Sequence, residues 1–135
     1  MTFPKIIINY ILTTVVFFAI DMVWLGFVAK NLYRKYLGAL LSDTVNWSAA
    51  IIFYLIFIVG IFIFVICPAV EKQSVVRAVL LGGFFGLIAY ATYDLTNYAT
   101  LKGFPLNIVF IDLVWGAVLT ALVSLAGYYI VKFIG

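Results

Sequence analysis

Residues 48–67 read SAAIIFYLIFIVGIFIFVIC, twenty positions with no charge and no proline. An α-helix of about 20 apolar residues crosses the roughly 30 Å hydrocarbon core of a bilayer. Apolar residues occupy every face of such a helix, and a helix without a wet side is built for a greasy surrounding. Working outward, three further stretches share the character: about 4–29, 75–98 and 106–131. Between them lie residues 30–47, the EKQS turn at 71–74, and residues 99–105. Links this short join antiparallel neighbours. The expected fold is an all-α integral membrane protein, four transmembrane helices in an up-down-up-down bundle, forming a single transmembrane domain over 1–135. Pro4 fits a helix start, Pro68 a stop, and Pro105 with Asn107 the opening of the last helix.

Composition agrees. The chain is 67% hydrophobic and 10% charged, with mean hydropathy +1.27, where a soluble domain carries roughly 25% charged residues. The net charge of +3 comes from basic residues at the ends of apolar runs. That placement suits membrane lipids as partners and gives no stripe for nucleic acid. One cysteine, Cys67, and no histidine exclude an intrachain disulfide and metal sites built on His or paired Cys. There is no cofactor signature and no nucleophile motif, so no cofactor is expected. Chemistry would rest on carboxylates, hydroxyls, amides, amines or backbone. The run from Ile6 to Val28 is too long for a signal peptide, holds Asp21, and reads as a retained span.

The first connector, KNLYRKYLGALLSDTVN, places Leu32, Tyr33, Tyr36, Leu37, Leu40 and Leu41 at helical spacing, with Lys30, Arg34 and Lys35 off that stripe. It reads as a short amphipathic helix at the interface, with a plain basic loop as the other possibility. Basic residues tie across the two faces: Lys5, Lys72, Arg77 and Lys132 against Lys30, Arg34, Lys35 and Lys102. The positive-inside rule is therefore silent, and both termini are placed in the cytoplasm on the free amino terminus alone.

Asp43 and Glu71 lie in connectors. Asp21, Asp94 and Asp112 lie within spans, where a carboxylate costs roughly 3 kcal/mol on insertion scales and usually faces the bundle interior. Up-down topology puts Asp21 in the second half of span one, Asp94 near the end of span three and Asp112 near the start of span four. All three occupy one leaflet, and their carboxylates are expected to meet. Gly82, Gly86, Tyr90, Asp94 and Tyr98 recur every four residues, and Asp112, Gly116 and Thr120 form a similar row. Thr14, Phe17 and Asp21 share a face of span one. Span two, apolar apart from Tyr54 and Gly60, is expected to supply walls and no chemistry. IDMVW at 20–24 and IDLVW at 111–115 each set a tryptophan one turn from an aspartate. The candidate ligand-binding residues are Asp21, Asp94, Asp112, Asn97, Tyr90, Tyr93, Trp24 and Trp115. Asp94 and Asn97, three apart, could share a ligand. Against this stands an interhelical hydrogen-bond network that holds the bundle together.

The stretch TYDLTNYATLKGFP at 92–105, with an aspartate–tryptophan motif before and after it, resembles a family of small predicted bacterial inner-membrane proteins of unknown function. The likeness covers essentially the whole chain and centres on a TYDLTN-x-AT core. The family's usual tryptophan before the proline is Phe104 here. The resemblance implies a bacterial cytoplasmic membrane, no established reaction, and a lipid-related role.

Three functions fit. The first is binding or transport of a small cationic or polar solute or a lipid headgroup in the aspartate pocket. Hard cations suit oxygen ligands, but no ion-loop motif is present and no metal is expected. The second is an intramembrane lipid-modifying enzyme, with Asp112 as base and Asp94 as acid; the missing nucleophile and histidine weigh against it. The third is an accessory or structural subunit, with homo-oligomerisation open.

Overall fold

The computed structural model describes residues 2–135. Four helices are long and apolar enough to cross a membrane: α1 Phe3–Val28, α3 Trp47–Glu71, α4 Val75–Thr100 and α5 Leu106–Ile134. A short helix, α2, spans Leu32–Leu37. Local chemistry sets the ends. Pro4 sits in the first turn of α1, where its missing N–H is not needed. Asn46 accepts a hydrogen bond from the Ala49 N–H at 3.2 Å, and Ser74 accepts one from the Arg77 N–H at 3.1 Å, each capping a helix start. Pro105 caps α5, and Gly103 just before it has φ 74, a left-handed conformation open to glycine at no steric cost.

Pro68 does not stop its helix. The chain passes through a π-turn at Phe62–Ile66 and continues as α-helix over Cys67–Glu71. A proline ring displaces the carbonyl four residues back and removes an N–H. The wider π-turn just ahead of it absorbs both effects. A second π-turn, Trp24–Val28, ends α1 and begins one turn after Asp21.

Helix α2 docks on protein. Tyr33, Tyr36 and Leu37 pack against Phe104, Ile108 and Val109 at the start of α5, while Arg34 and Lys35 are exposed. Leu40 and Leu41, expected on the same stripe, are exposed. The helix ends at Gly38 and a 3-10 turn over Gly38–Leu40 breaks the register.

The tightest pair is α4 against α5, with α1 lying on α5. The row Gly82, Gly86, Tyr90, Asp94 faces the antiparallel row Ser124, Thr120, Gly116, Asp112. A Cβ on Gly82 would stand 2.7 Å from Ser124 Cβ and 2.9 Å from the Thr120 carbonyl, one on Gly86 would collide with the Gly116 carbonyl, and one on Gly116 would enter the Tyr90 ring. In lipid, helices associate through such close packing of small residues, since apolar burial gains little there. The next step of the ladder brings Asp94 opposite Asp112.

On α1 the buried face is Asn9, Thr13, Phe17 and Asp21. Thr14 lies off it, its hydroxyl bonded to the Tyr10 carbonyl at 2.8 Å. Phe17, Ile58, Ile61, Ile66, Leu119 and Val123 form the shared core. Outward-facing side chains such as Phe27, Phe64 and Phe133 are exposed, as lipid contact demands.

Candidate functional site

A cavity of about 920 Å³ lies at the end of the bundle away from both termini, formed by the end of α1, α2, the start of α3, the end of α4 and the start of α5. Its volume is in the range of ligand sites, roughly 300–1,000 Å³. Two carboxylates reach its wall, Asp21 and Asp112, both buried.

Asp21 is held by two donors. Tyr54 of α3 donates its hydroxyl to Oδ2 at 3.1 Å, and Trp115 of α5 donates Nε1–H to Oδ1 at 3.3 Å. Asp112 is held by α2: Tyr33 donates its hydroxyl to Oδ1 at 2.5 Å, and Trp24 Nε1–H donates to the Tyr33 oxygen at 3.1 Å. The Trp24 and Trp115 rings stack at 4.4 Å with 8° between planes. Two hydrogen-bonded chains, Tyr54–Asp21–Trp115 and Trp24–Tyr33–Asp112, thus meet through the paired indoles. The repeated aspartate–tryptophan word becomes one wall, each tryptophan serving the network on the other side.

Asp94 stands behind that wall. It is fully buried, neither oxygen accepts a hydrogen bond, and its carboxyl lies within hydrogen-bonding reach of Asp112. The three carboxylates therefore do not close on one point. They form a facing pair, Asp94 with Asp112, and a separate Asp21, and among the described residues no three acidic side chains are arranged to hold a metal ion. Asp21 takes its donors from Tyr54 and Trp115 instead. Tyr90, on the cavity wall, is within electrostatic range of all three.

Tyr93, Trp24 and Trp115 also line the cavity, and Asn97 does not. Asn97 sits beside Tyr93, one turn on. Most of the polar segment 91–105 is satisfied within its own helix: Thr92 and Thr100 donate to the Ile88 and Thr96 carbonyls, each at 2.7 Å, and Thr96 donates to the Thr92 carbonyl. Phe104 is buried, its ring edge-on to Tyr93 at 6.2 Å. The wall as a whole is more aromatic and aliphatic than the acids alone imply.

Sequence reasoning missed Tyr54 and Tyr33 as site residues. Tyr54 is the one hydroxyl in α3 beyond Ser48 in its first turn, at the depth of Asp21, and that coincidence was the available signal. Tyr33 read as an apolar stripe residue, and nothing local tells that its tip reaches a residue 79 positions away.

Burial, and then the bond donated to Asp112, push the Tyr33 hydroxyl above its ordinary value of 10.0. A raised value means the folded chain holds that proton more tightly than the unfolded one. The stability from this contact is therefore present below pH 10.0 and is lost as the pH rises beyond it. Trypsin cleavage after the exposed Arg34 and Lys35 reads the docking of α2. Cleavage is expected to be at least about tenfold faster in Tyr33→Phe at pH 8, from the loss of the bond donated to Asp112 and the bond accepted from Trp24. Equal rates in the two proteins would disprove the tether.

Four membrane-length helices around a cavity with carboxylates on its wall define a small multi-pass membrane protein. The chain belongs to the family described as Predicted membrane protein (DUF2177), whose model matches residues 6–129. No curated protein and no solved structure matches it.

Proposed function

We propose that this protein binds, and moves within or across the membrane, a small cationic or polar solute or a lipid headgroup, held by Asp21 and Asp112 with Asp94 behind. The observation that carries the reading is the placement of two buried carboxylates on the wall of a ligand-sized cavity, because intramembrane carboxylates are costly unless they serve something. Its setting in this proposal is a bacterial inner membrane with both termini in the cytoplasm, so that the cavity lies in the outer leaflet.

Wild-type protein, Asp21→Asn and Asp112→Asn, each purified in neutral detergent and extracted for mass spectrometry, test it. A small amphiphile is expected to accompany the wild type and to be depleted from both variants. An occupant carried equally by all three, or by none, would remove the carboxylates from the reading.

The facing Asp94–Asp112 pair favours a second reading, a lipid-modifying enzyme using the pair as acid and base. A lipid species missing from a strain that lacks the protein would favour catalysis over binding.

A further inference from the structure

Resting on that reading of the cavity, we infer that its ligand class is an amphiphile with a protonated amine head, selected against neutral and anionic heads of the same length. The argument begins with an inventory of hydrogen-bonding groups. The indole N–H groups of Trp24 and Trp115 and the hydroxyls of Tyr33 and Tyr54 are all committed to partners inside the wall. The Thr92 hydroxyl is committed to its own helix. A carboxylate offers about four acceptor positions, and those found on Asp21 and Asp112 take three bonds between them. Of the remaining wall hydroxyls, Tyr93 has Asn97 beside it and Tyr90 is uncommitted, so vacant acceptors outnumber free donors and the wall fits a ligand that donates.

Charge narrows the choice. No lysine or arginine is among the residues that line the cavity, so a phosphate or carboxylate head would meet negative charge and no counter-ion. A hydroxyl head could donate, yet it would leave the carboxylates uncompensated in a surrounding of low dielectric, where like charges repel strongly. Asp94 gives the independent indication. It is fully buried with no donor to either oxygen, and it faces Asp112 from behind the wall. An N–H-bearing cation seated at Asp112 would offset carboxylate charge at the wall and fill vacant acceptor positions on Asp112.

Aromatic rings beside the carboxylates, Tyr54, Tyr90 and Trp115 among them, add the attraction of π faces for a cation. The remaining wall is apolar: Leu25, Leu37, Leu41, Ala50 and Phe53. A cavity of about 920 Å³ is far larger than an ammonium group, so most of its volume is suited to a hydrocarbon body. Acceptor-rich carboxylates prefer N–H donors, which places a primary amine ahead of a quaternary ammonium.

Four twelve-carbon probes test this with the Trp47→Phe protein, whose remaining tryptophans, Trp24 and Trp115, line the cavity. Dodecylamine, dodecyltrimethylammonium, dodecanol and dodecyl phosphate are titrated at pH 7 while tryptophan emission and unfolding temperature are followed. Dodecylamine is expected to bind at least about tenfold tighter than dodecanol or dodecyl phosphate, a difference of about 1.4 kcal/mol, and Asp112→Asn is expected to erase that preference. Dodecanol or dodecyl phosphate matching dodecylamine would overturn the ammonium assignment while leaving a ligand cavity. No response to any of the four would overturn the cavity reading itself, so the two failures are distinct. Repeating the dodecylamine titration in phosphatidylcholine and phosphatidylethanolamine nanodiscs separates the sources. Competition by the ethanolamine lipid identifies a lipid amine head, and its absence identifies a free lipophilic amine.

Discussion

Gly86→Leu is expected to yield no folded protein, and Gly86→Ala to lose about 1–3 kcal/mol, the usual cost of forcing atoms into a packed interface. The Cβ would collide with the Gly116 carbonyl and stand 2.6 Å from Thr120 Cβ. A backbone carbonyl cannot rotate away as a side-chain end can, so α4 and α5 must separate along their length. No apolar burial compensates in lipid, where the pair is held by contact alone. Gly83→Ala is the control. Its Cβ would approach the Ala117 carbonyl at 3.8 Å and Ala121 Cβ at 3.9 Å, ordinary contact distances, and the change is expected to stay within about 0.5 kcal/mol. Unfolding in mixed micelles with rising dodecyl sulfate, followed by tryptophan emission, compares them. Equal stability for the two alanine variants would refute the packing account. The same ladder sets the register of Asp94 against Asp112, so Gly86→Ala protein that does fold should also bind ligand less well.

That ladder was largely legible in the sequence. Recurrence at every fourth residue along Gly82, Gly86, Tyr90 and Asp94 is a helical property, and helices are the local structures that sequence periodicity encodes best. Four spans and their antiparallel order followed from hydropathy and link length, and the short helix after α1 from its apolar residues at helical spacing. Pro68 was misread because proline ends helices only when the turn before it cannot widen, and a π-turn leaves no mark in the residue pattern. Thr14 was set on the inward face by spacing of three and then four, whereas the buried face of α1 keeps to steps of four through Asn9, Thr13, Phe17 and Asp21. The meeting of three carboxylates was read from depth alone. Depth fixes a coordinate along the membrane normal and leaves the rotation of each helix open. Asp21 turns to Tyr54 and Trp115, and Asp94 to Asp112. Contacts such as Tyr33 to Asp112 depend on where a connector folds back, which only the assembled bundle decides.

The same substitution at the two wall carboxylates is expected to change stability in opposite directions. Asp112→Asn keeps one carbonyl oxygen to accept the Tyr33 hydroxyl and turns an amide NH₂ toward Asp94, whose oxygens have no donor. The amide supplies the donor that Asp94 lacks, and a gain of about 1–3 kcal/mol is expected, the cost otherwise attached to an unsatisfied buried group. Asp21→Asn does the reverse. Both Asp21 oxygens already accept bonds, from Tyr54 and Trp115. An amide keeps both only by turning its oxygen to Trp115 and its NH₂ to the Tyr54 oxygen. Carboxylate bonds are exchanged for weaker neutral ones, for a loss of about 1 kcal/mol. Unfolding of the three proteins under one condition measures both signs. A residue whose replacement strengthens the fold while removing amine selectivity is retained for what it binds, since sites built for function commonly sacrifice stability. Destabilisation by Asp112→Asn as large as that by Asp21→Asn would show instead that the pair serves packing, and would withdraw Asp94 and Asp112 from the site.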